Sequence, residues 1–183
     1  MKIGLDIDGV LCCFVGGVLT RASELGIRDK FPAKCTDVDH WNISEAFPEV
    51  WKTLGDDAEF WLKLRPLPYT TPLHFQPDCY ITSRRIPSWV TEQWLGVNRF
   101  PKADVISVAY PHEKLPHVLE RRLDVFIDDH WETVREMRAN GVNAILYEAP
   151  YQRGHDVSDL PKIKHLSEVN SELLRNSKQV SIG

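Results

Sequence analysis

The chain has 183 residues, of which 43% are hydrophobic and 26% are charged, and its formal net charge is −4. This length is enough for one domain with a full hydrophobic core, and the composition is that of an ordinary globular protein. The acidic balance argues against a long basic surface that tracks an extended nucleic acid, whereas a single nucleotide needs only local positive charge.

The sequence also limits where the protein is expected to work. No apolar run has the length of a membrane span, and the first predicted strand begins at once, without a signal-peptide pattern before it. The cysteines lack the spacing of zinc or disulfide sites, which favours free thiols in a reducing compartment. We therefore expect a cytoplasmic protein with no membrane partner, and a homo-oligomer is compatible with the sequence.

The first predicted strand is a short apolar run that ends in Asp6 and Asp8, with Gly9 directly after them. Because side chains alternate along a strand, carboxylates at positions i and i+2 face the same way, and a glycine lets the chain turn sharply behind them. Such a pair at the rim of a sheet suits a divalent cation, a carboxylate nucleophile, or both. The alternative is a strand end with two solvated acids.

Residues 15–66 form an insert in which helical patterns flank a polar stretch rich in aspartate and aromatic residues. After Pro66 and Pro68 the pattern alternates between strands and helices. Strands are predicted over 79–82, 104–108, 124–128 and 142–147, and helices over 87–95, 112–121 and 131–140. This alternation predicts an α/β fold, a Rossmann-like parallel sheet with helices on both faces, in which ligands bind at the carboxyl ends of the strands.

Polar side chains follow three of these later strands. Thr82 and Ser83 end the second strand, Lys114 begins the helix after the third, and Asp128 and Asp129 end the fourth. Each motif alone is typical of a protein surface. Because the carboxyl ends of parallel strands share one edge of the sheet, the motifs together predict a single crevice that includes the acids of the first strand.

An acid-x-acid pair, hydroxyls, a lysine and an acid pair, in this order, resemble the haloacid-dehalogenase-like (HAD-like) phosphatase superfamily. Within it the chain is most similar to the 5'(3')-deoxyribonucleotidase family, on residues 6–11, 59–68, 80–83 and 126–129. The resemblance implies a HAD-like core of residues 1–14 and 67–175 and a small helical cap formed by the insert, residues 15–66. Residues 176–183 are expected to be a frayed tail.

The resemblance also implies the roles of the motif residues. Asp6 is the nucleophile that forms an aspartyl-phosphate, and Asp8 protonates the leaving alcohol and then activates water. Thr82, Ser83 and Lys114 bind the phosphate group.

Crowded acids also predict a cation. Two like charges about 4 Å apart repel by roughly 4 kcal/mol at an effective dielectric near 20, and one lysine does not offset several such pairs. Mg²⁺ suits a site with several carboxylates and a phosphate. By resemblance its ligands are Asp6, the backbone carbonyl of Asp8, and Asp129, and Asp128 is a neighbour that supports these ligands. The aromatic residues expected to contact the substrate are Phe14, Trp41 and Trp61.

The sequence therefore predicts a Mg²⁺-dependent phosphatase for a small phosphate monoester, with a (deoxy)nucleoside monophosphate as the favoured substrate. Two alternatives within enzymes are another small phosphate, such as a sugar phosphate, and the 3'-phosphate at a polynucleotide end, which the acidic balance disfavours. A catalytically idle relative that binds a phosphate ligand is the alternative from another class. The presence of every motif residue argues against that relative.

Overall fold

The computed structural model describes residues 1–38, 45, 47–55 and 57–169. Its strands are β1 Ile3–Leu5, β2 Cys79–Thr82, β3 Asp104–Ser107, β4 Val125–Asp128, β5 Ala144–Tyr147 and β6 Lys162–Ile163. They form one parallel sheet in the order β3-β2-β1-β4-β5-β6. The direction of winding reverses between β1 and β4, as in a Rossmann-like sheet, which confirms the predicted fold class.

The α-helices within the described ranges are α1 Phe14–Glu24, α2 Pro48–Trp51, α3 Ala58–Leu62, α4 Ser88–Val97, α5 Lys114–Arg121 and α6 Trp131–Ala139. Helices α4, α5 and α6 each connect two consecutive strands, as predicted. The start of α5 differs from the prediction, because a 3₁₀ turn at Pro111–Glu113 replaces the first turn of the predicted helix.

Side chains from the strands alternate between two hydrophobic cores, one on each face of the sheet. On one face, Ile127 belongs to the same buried cluster as Trp94 of α4. On the other face, its neighbour Phe126 belongs to a cluster with Val134 and Met137 of α6. The helices therefore cover both faces, which explains why the central strands are continuous apolar runs.

The insert between β1 and β2 carries α1, α2 and α3, whose buried residues join the cluster that contains α4. The indole N–H of Trp94 donates to the carbonyl of Leu64 at 2.7 Å, which ties the end of the insert to α4. The chain returns beside its starting point, since the N–H of Leu67 donates to the carbonyl of Leu11 at 2.8 Å. The division into a core and a cap at residues 14/15 and 66/67 stays a prediction, and the proposed tail lies outside the described residues.

Two features go beyond the predicted elements. Strand β6 is a two-residue edge strand that pairs Ile163 with Tyr147, too short to show any periodicity in the sequence. The connection from residue 63 to residue 78 contains no helix, so the crossover from β1 to β2 relies on the insert. No helix in the described ranges combines the length and apolar character needed to span a membrane.

Candidate active site

The first site residues lie in the turn that follows β1. Asp6 continues the hydrogen bonding of the strand, and the N–H of Leu11 then closes the turn on the carbonyl of Ile7 at 2.8 Å. Gly9 has a φ of +80°, and a Cβ at this position would lie 2.0 Å from Oδ2 of Asp129. Only glycine therefore lets the Asp129 carboxylate approach the turn.

Lys114, the first residue of α5, lies buried between two carboxylates. Its Nζ is 2.9 Å from Oδ2 of Asp6 and 2.8 Å from Oδ2 of Asp128. The loop before it is fixed by the Glu113 carboxylate, which accepts the backbone N–H of Ala109 at 2.7 Å. The start of α5 thus places one positive charge between the acids at the ends of β1 and β4.

Three buried acids surround this charge. One carboxylate oxygen from each of Asp6, Asp128 and Asp129 lies within 4.8 Å of the other two. Both oxygens of Asp128 are occupied, because Oδ1 accepts the N–H of His130 at 2.9 Å and Oδ2 contacts Lys114. Oδ1 of Asp6 is buried and has no hydrogen-bond partner among the described residues. An unpaired carboxylate oxygen beside other acids fits a hard divalent cation, with Asp128 in a supporting position.

The burial of these acids changes their pKa values. Burial raises the pKa of Asp6 to about 7. The charge of Lys114 opposes this rise, whereas the charges of Asp128 and Asp8 add to it. Burial likewise raises the pKa of Asp129 well above its usual range, with Asp6 and Asp128 adding to the effect. Burial would lower the pKa of Lys114, but the charges of Asp128 and Asp6 outweigh it and the pKa is raised. Without a cation, the cluster therefore retains protons close to neutral pH.

Two hydroxyls complete the set of motif residues. Thr82 is the last residue of β2 and Ser83 follows it, and both line the same cleft as Asp6 and Lys114. Neither side-chain oxygen has a hydrogen-bond partner in the described part of the chain, although both are buried. Because buried polar groups are usually paired, these hydroxyls are available to donate to a ligand.

Asp8 is held by a residue that the sequence analysis did not identify. The guanidinium of Arg84 donates to Oδ2 of Asp8 at 2.9 Å and to Oδ1 at 2.7 Å. Gln152 was missed as well, and its amide fixes the carbonyl of Asp129 at 2.7 Å. No sequence spacing links these pairs. The one available signal for Arg84 was its place directly after the two hydroxyls at the end of β2.

A cleft of about 860 Å³ lies over these groups. Phe14 lines it, and its ring stacks on that of Trp61 with the centroids 5.5 Å apart. Trp61 also lines the cleft, although it is only 3% exposed, and its indole N–H donates to the carbonyl of Leu54. Trp41 lies outside the described residues. Further aromatic residues on the walls are Trp51, Tyr69, Tyr110, Tyr147 and Tyr151.

No protein-family model matches the sequence, and no curated protein matches it significantly. The L-2-haloacid dehalogenase PA0810 is a structural neighbour, with a TM-score of 0.57 and 14% identity over 96% of this chain and 98% of that one. A second neighbour is the 2-haloacid dehalogenase from Pseudomonas syringae pv. Tomato DC3000, with a TM-score of 0.52 and 15% identity over 96% and 99% of the two chains. Identities this low establish the fold alone. The chain has a HAD-like α/β fold, as the motif order predicted.

Proposed function

We propose that this protein is a Mg²⁺-dependent phosphatase that hydrolyses a nucleoside monophosphate through an aspartyl-phosphate on Asp6. The observation that carries the proposal is the Asp6 carboxylate. One of its oxygens contacts Lys114, while the other is buried and has no partner among the described residues, in a cleft also lined by the hydroxyls of Thr82 and Ser83, which lack partners there as well. A nucleophile, a cation and hydroxyl donors in one cleft suit attack on a phosphate group.

The motif residues then divide the steps of the reaction among them. Asp6 attacks phosphorus, while Lys114 and the hydroxyls of Thr82 and Ser83 stabilise the negative charge of the phosphate oxygens. Asp8 gives a proton to the leaving alcohol and takes one back from the water that releases the phosphate. Lys114 also keeps Asp6 oriented, because its Nζ spans Asp6 and Asp128.

The acid cluster is the reason to include a metal. Asp6, the carbonyl of Asp8, and Asp129 would hold Mg²⁺, and Asp128 would support the site through Lys114 and the His130 N–H. When bound, Mg²⁺ supplies positive charge that offsets the crowded acids and the phosphate oxygens.

Dehalogenation of a 2-halo acid is the second candidate, because the structural neighbours carry that activity in their names. A halide ion leaves carbon without needing a proton, so that reaction has no use for Asp8. It also has no use for three converging carboxylates, which would repel an anionic substrate in the absence of a cation. Both features favour phosphoryl chemistry.

The cleft supports a nucleotide as the substrate. Its volume of about 860 Å³ is far more than a phosphate group needs, and aromatic rings are frequent on its walls. Aromatic rings can stack on a nucleobase, whereas recognition of a sugar phosphate calls mainly for hydrogen-bonding groups. A polynucleotide end is disfavoured by the net charge of −4.

The test is a panel of substrates given to the purified full chain with Mg²⁺ or with EDTA. The panel contains nucleoside 5'- and 3'-monophosphates, sugar phosphates, a 3'-phosphorylated oligonucleotide and a 2-chloro acid. We expect phosphate release from nucleoside monophosphates with Mg²⁺ only. Chloride release, or no phosphate release from any ester, would contradict the proposal. Preference for a sugar phosphate would retain the reaction and reject the substrate.

Stabilisation by Mg²⁺ is expected to depend on pH. The pKa of Asp6 is about 7 in the folded protein, against an ordinary value of 3.8. At pH values between these two, folding therefore takes up a proton. The contribution of Asp6 to the stability of the metal-free protein consequently declines as the pH rises. Mg²⁺ binds the ionised acids and so stabilises more at about pH 8 than at about pH 5. At roughly 100 times Kd the gain is about 2.7 kcal/mol. Calorimetry at both pH values, with and without Mg²⁺, measures it.

Two variants sharpen the metal prediction. Asp129→Asn should raise the Mg²⁺ concentration needed for stabilisation more than Asp128→Asn does, because both Asp128 oxygens are already occupied. Equal Mg²⁺ stabilisation at both pH values in the wild type, or a larger effect of Asp128→Asn, would contradict the assigned ligands.

Phe14→Ala is expected to affect substrate recognition. Losing one stacking contact with a base should lower kcat/KM for a nucleoside monophosphate by the equivalent of about 1–3 kcal/mol. Para-nitrophenyl phosphate should lose less, since it cannot occupy the base site. Phe31→Ala is the matched control, because Phe31 is a buried insert aromatic that does not line the cleft. Equal losses on both substrates for Phe14→Ala would make Phe14 a packing residue.

A further inference from the structure

Arg84 is an arginine whose side chain has no exposed surface, placed directly after the hydroxyls of Thr82 and Ser83. Its guanidinium donates two hydrogen bonds to the Asp8 carboxylate in a bidentate fork, with Nε 2.9 Å from Oδ2 and Nη2 2.7 Å from Oδ1. Nη2 also lies 3.2 Å from Sγ of Cys12. The planar guanidinium matches the planar geometry of a carboxylate, whereas a lysine ammonium cannot form this bidentate fork.

Two tryptophans fix the guanidinium from the core. Its central carbon lies 5.0 Å from the ring centroid of Trp61 and 5.5 Å from that of Trp94. Each indole is anchored in turn, because Trp61 donates to the carbonyl of Leu54 and Trp94 to that of Leu64. Burying an ion pair is a weak source of stability compared with apolar packing, so this arrangement calls for a role beyond stability.

The contacts leave the two oxygens of Asp8 in different states. Oδ1 accepts bonds from Arg84 and from the thiol of Cys12 at 3.0 Å, which uses both of its lone pairs. Within the described ranges, Oδ2 accepts only the Nε bond and keeps one lone pair. The Asp8 side chain is 23% exposed and lines the cleft, so Oδ2 is the oxygen able to exchange a proton with a bound substrate.

Building on the proposed phosphatase activity, we propose that Arg84 is a positioning residue that aims Oδ2 of Asp8 at the leaving group. The Asp8 carboxylate first takes up a proton from solvent at Oδ2. In the first half-reaction, an Asp6 oxygen then bonds to phosphorus, the ester P–O bond breaks, and the Oδ2 proton moves to the ester oxygen. In the second, a water oxygen bonds to phosphorus, the bond to Asp6 breaks, and a water proton returns to Oδ2. Arg84 itself does not touch the substrate and transfers no proton.

The leaving group provides the first test. In Arg84→Met, kcat/KM for a nucleoside monophosphate should fall about 100-fold or more, since its alkoxide needs protonation. For para-nitrophenyl phosphate, whose phenolate leaves without a proton, the fall should stay within a factor of about ten. Equal losses on both esters would overturn the positioning role. Arg138→Met controls for a lost arginine, since Arg138 donates to the carbonyl of Ala144 away from the cleft.

A double-mutant cycle provides the second test. If Arg84 acts through Asp8, Arg84→Met should cause no further loss of nucleotide hydrolysis once Asp8→Asn is present. The same additional loss in both backgrounds would mean that Arg84 acts by another route. Arg84→Lys retains a buried charge without the fork, and it should show the same selective loss on the nucleotide. Full wild-type rates in Arg84→Lys would overturn the role of the fork.

Free guanidinium ion provides the third test, in Arg84→Ala. The ion should enter the space between the two indoles and restore nucleotide hydrolysis, whereas the same concentration of urea or sodium chloride should not. Absence of rescue in a variant that is folded by circular dichroism would count against the proposal. A wild type inactive on every phosphate ester tested would remove the phosphatase function itself. An active wild type with equal losses in Arg84→Met would remove only the positioning role.

Discussion

Asp6→Asn is expected to lower kcat by a factor on the order of 10⁴ to 10⁶ on every phosphate ester that the wild type hydrolyses, as the loss of a catalytic nucleophile does in other enzymes. Asparagine keeps the size of the side chain and an oxygen for Lys114, but its amide cannot form the bond to phosphorus. The measurement is phosphate release under saturating Mg²⁺, with the wild type and the variant purified side by side.

The fold should survive this substitution. Asp6→Asn removes one of the acids that crowd within 4.8 Å of one another, so the repulsion in the metal-free cluster decreases. Thermal unfolding and near-ultraviolet circular dichroism check this, and Asp6→Ala guards against recovery of the aspartate by deamidation. Retention of a tenth of the wild-type turnover by either folded variant would reject Asp6 as the nucleophile.

Lys114→Met should damage both stability and catalysis. The Lys114 side chain is 3% exposed and contacts Asp6 and Asp128, so its removal leaves buried charges without a partner, at an expected cost of about 3–5 kcal/mol at about pH 8. The cost should be smaller at about pH 5, because Asp6 and Asp129 have raised pKa values and take up protons instead. Denaturant unfolding of the metal-free protein at both pH values measures the difference.

The catalytic loss in Lys114→Met should be alike for all phosphate esters, by about 10²–10³ in kcat/KM, because every substrate presents the same phosphate group. Lys63→Met is the matched control, since Lys63 pairs with Glu59 on the surface, where ion pairs contribute little. A loss of stability independent of pH, or a loss confined to nucleotides, would contradict this role for Lys114.

The fold and the motif residues were predictable because their signals are local. A buried strand in a parallel sheet is an apolar run in any context, so the segments around Tyr80, Phe126 and Ile145 were assigned from sequence. Once strands alternate with helices, the parallel sheet and its active edge follow from chain connectivity. The sequence therefore predicts that Asp6, Lys114 and the acids at the end of β4 share one crevice.

Other parts of the site depend on contacts between distant residues. Arg84 looks like a surface residue in sequence, and only the pairing of β1 with β2 brings it to Asp8. Gln152 lies in a 3₁₀ turn without periodicity, yet its amide bonds to the carbonyls of Asp129 and Tyr147. Arg84 and Gln152 matter because their polar side chains are buried, and the burial of a polar side chain leaves no pattern in the sequence.

The sequence by itself determined the α/β class, the strand edge that carries the candidate site, and the residue types at that edge, because strand–helix alternation, glycine turns and charged pairs each involve a few neighbouring positions. Only the tertiary structure decided which acids share Lys114, which hydroxyls lack a partner among the described residues, and which guanidinium holds Asp8. It also left Trp61 only 3% exposed, stacked on Phe14 at the wall of the cleft. Those outcomes depend on packing between segments that are distant in sequence, such as Asp8 and Arg84, which are 76 residues apart, and no local propensity encodes such distances.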